Sequence, residues 1–335
     1  MLTRFALTAI AILAPSVAHA LTPVAHVETK GHGATTMVLV PGWACDWTVW
    51  DAFMDRNADH YTMHALTLPG FGGTASPPLD PEAKGTPWID NAAHAVGAFL
   101  DSKNLTDVVL VGHSMGGHLA YRVAIEHPDR VAKVISIDGF PAFPIGGPKS
   151  QFTPEQRTTL VDSMLAPRMR ELTDEQWGGQ QKTMLNSMVT DPSRAAQLAA
   201  VCATTDKQTA IEYYLQLLKS DVTPRMPELK QPTLAIAAID PSMNVTGQAD
   251  NMRIIWRQQV ESAPNAKLVF FEATRHFVMD DQPDALDETV SNFLAGKPVQ
   301  DVATPPAPVI VAPATDAAPA APAAKDKPEV EPKPQ

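Results

Sequence analysis

Ser114 stands in the run Gly112-His113-Ser114-Met115-Gly116-Gly117, directly after an apolar stretch and directly before a helix-like one. Small residues two before and two after a serine permit a tight turn that lifts its hydroxyl clear of the backbone. A plain glycine-rich turn also needs small residues. The strand before, the helix after and the extra glycine at 117 favour a nucleophile. The following helix aims its first N–H groups and its positive end at that hydroxyl. A serine nucleophile needs a base. Of the ten histidines, His276 is best placed, in "EATRHFVMDDQPDAL" between the last strand-like run and the closing helix. His113 lies inside the turn, where its side chain is expected to point away from the serine. His118 lies on the helix that follows.

These residues need a frame, and the hydrophobic pattern supplies one. Strands are expected at 36–40, 61–68, 107–111, 131–137, 233–238 and 267–271. Helical periods fall at 88–103, 116–126 and 284–294. Strands that alternate with helices imply an α/β fold, with a mostly parallel sheet covered on both faces. Between 141 and 226 that alternation stops. No strand pattern appears there, and helices are expected at 154–172, 174–189, 192–202 and 206–218, several with clear start signals such as Thr153-Pro154-Glu155. A helical block inserted between sheet strands reads as a cap over the carboxyl edge, where open α/β sheets place ligands. Phe140, Phe143, Met164, Met184, Met188 and Leu215 are its candidates to face a pocket, and most of them suit the block's own core equally well.

Both ends read differently from the middle. Residues 1–20, "MLTRFALTAIAILAPSVAHA", have a basic start, a short apolar run and an Ala-His-Ala close, the pattern of a cleaved secretory signal. The expected address is periplasmic or secreted. From 298 to 335 proline and alanine dominate without a period, so a disordered tail is expected. The core then comprises 21–140 and 227–297, with 141–226 as the cap. A formal net charge of −11 argues against a general nucleic-acid surface and against an anionic membrane surface. No second stretch is apolar enough to span a bilayer, so stable membrane insertion is not expected. The two cysteines, Cys45 and Cys202, either pair or remain buried thiols; their spacing does not decide. No metal-ligand spacing surrounds them, and the glycine-rich stretches lack a dinucleotide context, so no cofactor is expected.

Five pieces occur in order: "LVPGWACDWTVWD", "LTLPGFGGTASP", "GHSMGGHLAY", "VISIDG" and "RHFVMDDQPDAL". Together they make the chain resemble α/β-hydrolase-fold serine hydrolases of the lidded esterase and lipase type, over about 24–295. The resemblance implies a Ser-His-acid triad with chain order serine, acid, histidine. It implies two backbone donors to an oxyanion, from Met115 and from Trp43, with Pro41 where such chains usually carry histidine. Trp43, Trp47 and Trp50 are candidates for an apolar acyl pocket. For the acid, the resemblance favours Asp240, in Ala237-Ala238-Ile239-Asp240-Pro241, although the usual glycine is missing. Asp138, in "SIDGF", is the alternative that some relatives use. Asp280 and Asp281 are too near His276 in sequence. The implied activity is hydrolysis of a carboxylic ester of a small or medium apolar substrate through an acyl-enzyme. Amide, thioester or carbon–carbon bond chemistry on the same triad, and an inactive binding module, stay open. The oligomeric state is not legible.

Overall fold

The computed structural model describes residues 22–78, 85–148, 150 and 152–303. They all fall within the first of two units, 1–304 and 305–335. The expected signal segment 1–20 and the tail from 304 onward lie outside the described residues.

Seven strands form one sheet: β1 (His26–Lys30), β2 (Thr35–Val40), β3 (Tyr61–Thr67), β4 (Val108–His113), β5 (Val131–Ile137), β6 (Thr233–Ile239) and β7 (Ala266–Glu272), in the order β1-β3-β2-β4-β5-β6-β7. Only β1 runs antiparallel, against β3. The other pairings are parallel, and β4 lies centrally between β2 and β5. Its six residues, VVLVGH, are all buried, as expected for a parallel strand covered on both faces. Alternate side chains leave a strand on opposite faces. Met37, Leu39 and Val111 therefore enter one core, and Val38, Val40 and Leu110 the other.

Before the inserted block come the helices α1 (Asp51–Asn57), α2 (Pro87–Ser102) and α3 (Met115–Glu126). The strand at β1 and the helix α1 had no expectation from sequence. β1 is short and none of its five residues is fully buried, as suits an edge. Within the block lie α4 (Pro154–Leu160), a π-turn at Val161–Leu165, α5 (Ala166–Arg170), α6 (Asp174–Met188), α7 (Pro192–Cys202) and α8 (Lys207–Lys219). Thr153 and Thr173 each make a reciprocal capping box with the glutamine three residues on, which satisfies two orphan donors at each helix start. The block has a small core of its own around Val161, Ile211 and Leu215. Leu215 is thus internal to the block, and Met164 faces outward at 52% exposure, so neither takes the pocket-facing place expected of it.

The chain closes with α9 (Pro241–Val245), α10 (Ala249–Val260), α11 (Val278–Asp281) and α12 (Pro283–Leu294). Residues 298–303, expected from sequence to belong to the tail, pack against the sheet. Val302 donates from N–H to Phe270 O at 2.8 Å and accepts from Glu272 N–H at 2.9 Å. Asp301 Oδ1 accepts from Phe270 N–H at 2.8 Å. The segment covers the open edge of β7, which would otherwise present unpaired backbone groups. Among the described residues no helix is long and apolar enough to cross a membrane.

Candidate active site

The turn between β4 and α3 is built by close packing. A Cβ on Gly112 would lie 2.1 Å from Gly116 O, and a Cβ on Gly116 would lie 2.2 Å from Val40 O. Any side chain at either place would push the turn off the sheet. Ser114 itself takes φ 54° and ψ −120°, a region that non-glycine residues occupy only under strain. Its N–H donates to Ile137 O at 2.9 Å, which fastens the turn to the end of β5. Met115 is the first residue of α3, so its N–H has no partner within the helix. The loop after β2 lies alongside: a Cβ on Gly42 would be 3.3 Å from Ser114 Cβ. Trp43 and Met115 therefore flank the serine from two separate segments.

His276 follows β7 and reaches the same place. Its Nδ1 donates to Asp138 Oδ2 at 2.6 Å. Asp138 comes directly after β5 with φ 48°, a left-handed turn that directs its side chain toward the end of β6. There its second oxygen, Oδ1, accepts from Ala238 N–H at 3.0 Å. Both carboxylate oxygens are thereby committed, one to the imidazole and one to the sheet.

The acid favoured from sequence is not the one bonded to His276. Asp240 Oδ1 accepts from Ser242 N–H at 2.7 Å and caps α9, and Oδ2 lies 3.8 Å from Arg275 Nε. The reason is local: aspartate followed by proline at the first helical position is a strong helix start, and the cap consumes the carboxylate. Asp280 is paired with Arg194 at 3.0 Å, and burial pushes its carboxyl above the usual range. Asp281 accepts from Arg275 N–H and Thr190 N–H, each at 2.8 Å.

Two residues matter here that sequence left aside. His113, fully buried, donates from Nε2 to the backbone O of His276 at 3.0 Å. Burial holds its pKa well below the ordinary histidine value, and the nearby His276 adds to that. A neutral ring with its proton on Nε2 therefore positions the His276 backbone. Arg275 donates from Nη1 to Asn186 O at 3.1 Å and Val189 O at 2.7 Å, at the C-terminal end of α6. Phe277 N–H donates to Met188 O at 3.1 Å. The histidine loop and the helical block are thus fastened to each other on both sides of His276.

Ser114, Asp138, Asp240, His276, Trp43 and Met115 all line one cavity of about 430 Å³ between the sheet edge and the helical block. The rest of its wall is largely apolar, including Phe140, Phe143, Met184, Met188, Met243 and Met252. Trp43 forms part of the wall and crosses to the block, where its Nε1 donates to Ala210 O at 2.7 Å and its ring meets Trp177 edge-on. Trp50 is fully buried in the core, and Trp47 packs partly buried against that core. His118, on α3, donates from Nδ1 to Phe140 O at 3.2 Å and pairs with Ser220 Oγ at 2.8 Å. Burial lowers its pKa to about 4. A strained serine, an imidazole and an imidazole-bound carboxylate beside a helix start are the parts that nucleophilic acyl transfer requires.

Residues 37–289 match the Alpha/beta hydrolase family. Over 104 residues, 30% of its length, the chain is 38% identical to abhydrolase domain-containing protein abhd-5.2 of Caenorhabditis elegans, covering 22% of that protein. Over 116 residues, 35% of its length, it is 30% identical to a pimeloyl-[acyl-carrier protein] methyl ester esterase of Pectobacterium carotovorum, covering 41% of that enzyme. The chain thus matches less than half the length of either relative. A thermophilic esterase from Thermogutta terrifontis superposes with a TM-score of 0.62 at 21% identity, over 81% of this chain and 93% of that one. At that identity the likeness speaks for the fold.

Proposed function

The chain belongs to the alpha/beta hydrolase family, and on that premise we propose that it is a serine hydrolase cleaving carboxylic esters of small or medium apolar substrates. The observation that carries this reading is the 2.6 Å bond from His276 to Asp138 at the wall of the cavity that also holds Ser114. In the proposed reaction His276 Nε2 takes the Ser114 proton as the hydroxyl oxygen attacks the ester carbonyl. The negative oxygen of the tetrahedral intermediate is met by the N–H groups of Met115 and Trp43. The intermediate collapses, the alcohol leaves with the proton from His276, and Ser114 carries the acyl group. Water repeats the sequence and frees the acid. Asp138 fixes the imidazole tautomer throughout and stabilises the imidazolium.

The apolar wall supports an apolar acyl or alcohol group, and a volume of about 430 Å³ suits a small molecule. The helical block contributes Phe143, Met184 and Met188 to that wall, so it is assigned to gating and chain-length choice. The leader pattern in 1–20 supports export, with the mature chain starting at Leu21. A panel of p-nitrophenyl esters of rising acyl length tests the activity. Turnover with an optimum at short or middle lengths is expected. No turnover of any ester, with Ser114 still reactive toward a fluorophosphonate, would overturn the ester reading in favour of amide or carbon–carbon bond chemistry.

A further inference from the structure

The only two cysteines of the chain, 157 positions apart, meet at the seam between the sheet and the helical block. Cys45 lies three residues after Gly42 in the loop that flanks Ser114, and Cys202 is the last residue of α7. Their sulfurs are 3.9 Å apart, and both side chains are buried, at 2% and 6% exposure. The backbones on either side are already held together. Thr205 Oγ1 donates to Ala44 O at 3.4 Å, and Trp43 Nε1 donates to Ala210 O at 2.7 Å. Among the described residues no group of histidine, cysteine and carboxylate side chains is placed to hold a metal ion. The sulfurs face each other at the wall of the cavity that also holds Ser114.

We propose that Cys45 and Cys202 are joined by a disulfide that straps the serine-flanking loop to the helical block. Forming the bond requires the sulfurs to close from 3.9 Å to about 2.05 Å. The contact with Cys202 and, after it, burial hold the Cys45 thiol well above its ordinary pKa, so the closed fold is slow to ionise it. The bond accordingly forms while the chain folds, before the block closes. The oxidant is a disulfide, supplied by an oxidoreductase or by oxidised glutathione. One cysteine thiolate attacks the oxidant's S–S bond, forming a mixed disulfide and releasing one oxidant thiol. The second cysteine thiolate then displaces the other oxidant sulfur. The two cysteines are oxidised by two electrons, the oxidant is reduced to two thiols, and the two thiol protons end on those products.

The consequence is a pivot. The ring closed between 45 and 202 is long, which is where a cross-link most restricts the unfolded chain. At this corner the block cannot swing away from the loop that carries Trp43, so opening for substrate pivots about the strap.

The full chain, refolded in a mixture of oxidised and reduced glutathione, is denatured and treated with N-ethylmaleimide before and after reduction. No adduct before reduction, two after it, and a peptide pair linked through Cys45 and Cys202 are expected. Two adducts without reduction, or chains linked to each other on a non-reducing gel, would overturn the proposal. Thermal unfolding supplies a second reading. The oxidised protein should melt on the order of 5–10 °C above the reduced one, and Cys202→Ser should abolish that difference. Equal melting of the oxidised and reduced wild type contradicts the strap.

Discussion

Replacing Asp138 by asparagine changes one atom, and the geometry dictates which way the new amide faces. Asp138 Oδ1 accepts from Ala238 N–H at 3.0 Å and Oδ2 accepts from His276 Nδ1 at 2.6 Å. An asparagine that keeps its oxygen on Ala238 must turn its NH₂ toward His276. Nδ1 then becomes an acceptor, the ring proton moves to Nε2, and the imidazole cannot take a proton from Ser114. The flipped amide would set an NH₂ donor against a buried N–H donor, which costs about 1–3 kcal/mol. The wrong tautomer is therefore locked in. Loss of the correct one costs up to about 10⁴-fold in kcat, or roughly 5.5 kcal/mol. KM should change little, because substrate does not touch Asp138 in the proposed reaction. Asp240→Asn is the matched control. Asparagine caps a helix as well as aspartate does, and the 3.8 Å approach to Arg275 is at a partly exposed site, worth under about 1 kcal/mol. Turnover within about threefold of wild type is expected there. Steady-state kinetics on a p-nitrophenyl ester, with both variants checked for folding by circular dichroism, decides the matter. A collapsed Asp240→Asn beside a near-normal Asp138→Asn would refute the reasoning.

Other residues give independent checks. Gly112→Ala places a Cβ 2.1 Å from Gly116 O, so urea unfolding should show a loss of about 2 kcal/mol or more; a change within about 0.5 kcal/mol would contradict the packing argument. Arg275→Ala removes the bonds to Asn186 O and Val189 O, and kcat/KM should fall on the order of 10-fold, more for long acyl chains than for short ones. An unchanged chain-length profile in that variant argues against the fastening. His118, with its pKa lowered to about 4, is held neutral in the fold and takes up a proton when the chain unfolds below the ordinary value of 6.5. Its contribution is thus complete above pH 6.5 and lost as pH falls toward 4, and buried His113 acts in the same sense. His118→Gln should flatten the stability–pH slope in that window by up to about 1.4 kcal/mol per pH unit; an identical slope in wild type and variant would show that His118 is not the titrating group.

The sheet was legible because its central strands are buried on both faces. Runs such as VVLV and VISI have few other places to go, and β5 falls where the hydrophobic pattern puts it. The helix starts at Thr153 and Thr173 were legible for a chemical reason, since a threonine followed by glutamine three residues on makes a reciprocal cap. The edge strand β1, HVETK, was not, because an edge buries too little to impose a pattern. That Ser114 and His276 come to one cavity could be read from their surroundings, being a glycine-framed turn and a loop between the last strand and the last helix. The carboxylate that bonds His276 could not. Its identity depends on the left-handed φ of 48° at Asp138, which aims the carboxylate across β6. Nothing in "SIDGF" announces that angle. A local signal against Asp240 was nonetheless present, because Asp240-Pro241-Ser242 is a helix start whose carboxylate is spent on capping. His113 was read as pointing away from the serine. It does point elsewhere, to the backbone of His276, a partner 163 positions distant that no local pattern reveals.

The central claim is that Ser114 attacks the substrate carbonyl, and active-site titration measures it most directly. The full chain is incubated with a fluorophosphonate probe, digested, and the modified peptide is located by mass spectrometry. Ester turnover is followed in the same sample. A single adduct on Ser114, formed in step with the loss of turnover, is expected, with neither adduct nor turnover in a folded Ser114→Ala protein. Full ester hydrolysis by that variant, or an adduct on another residue that tracks inactivation, would contradict it.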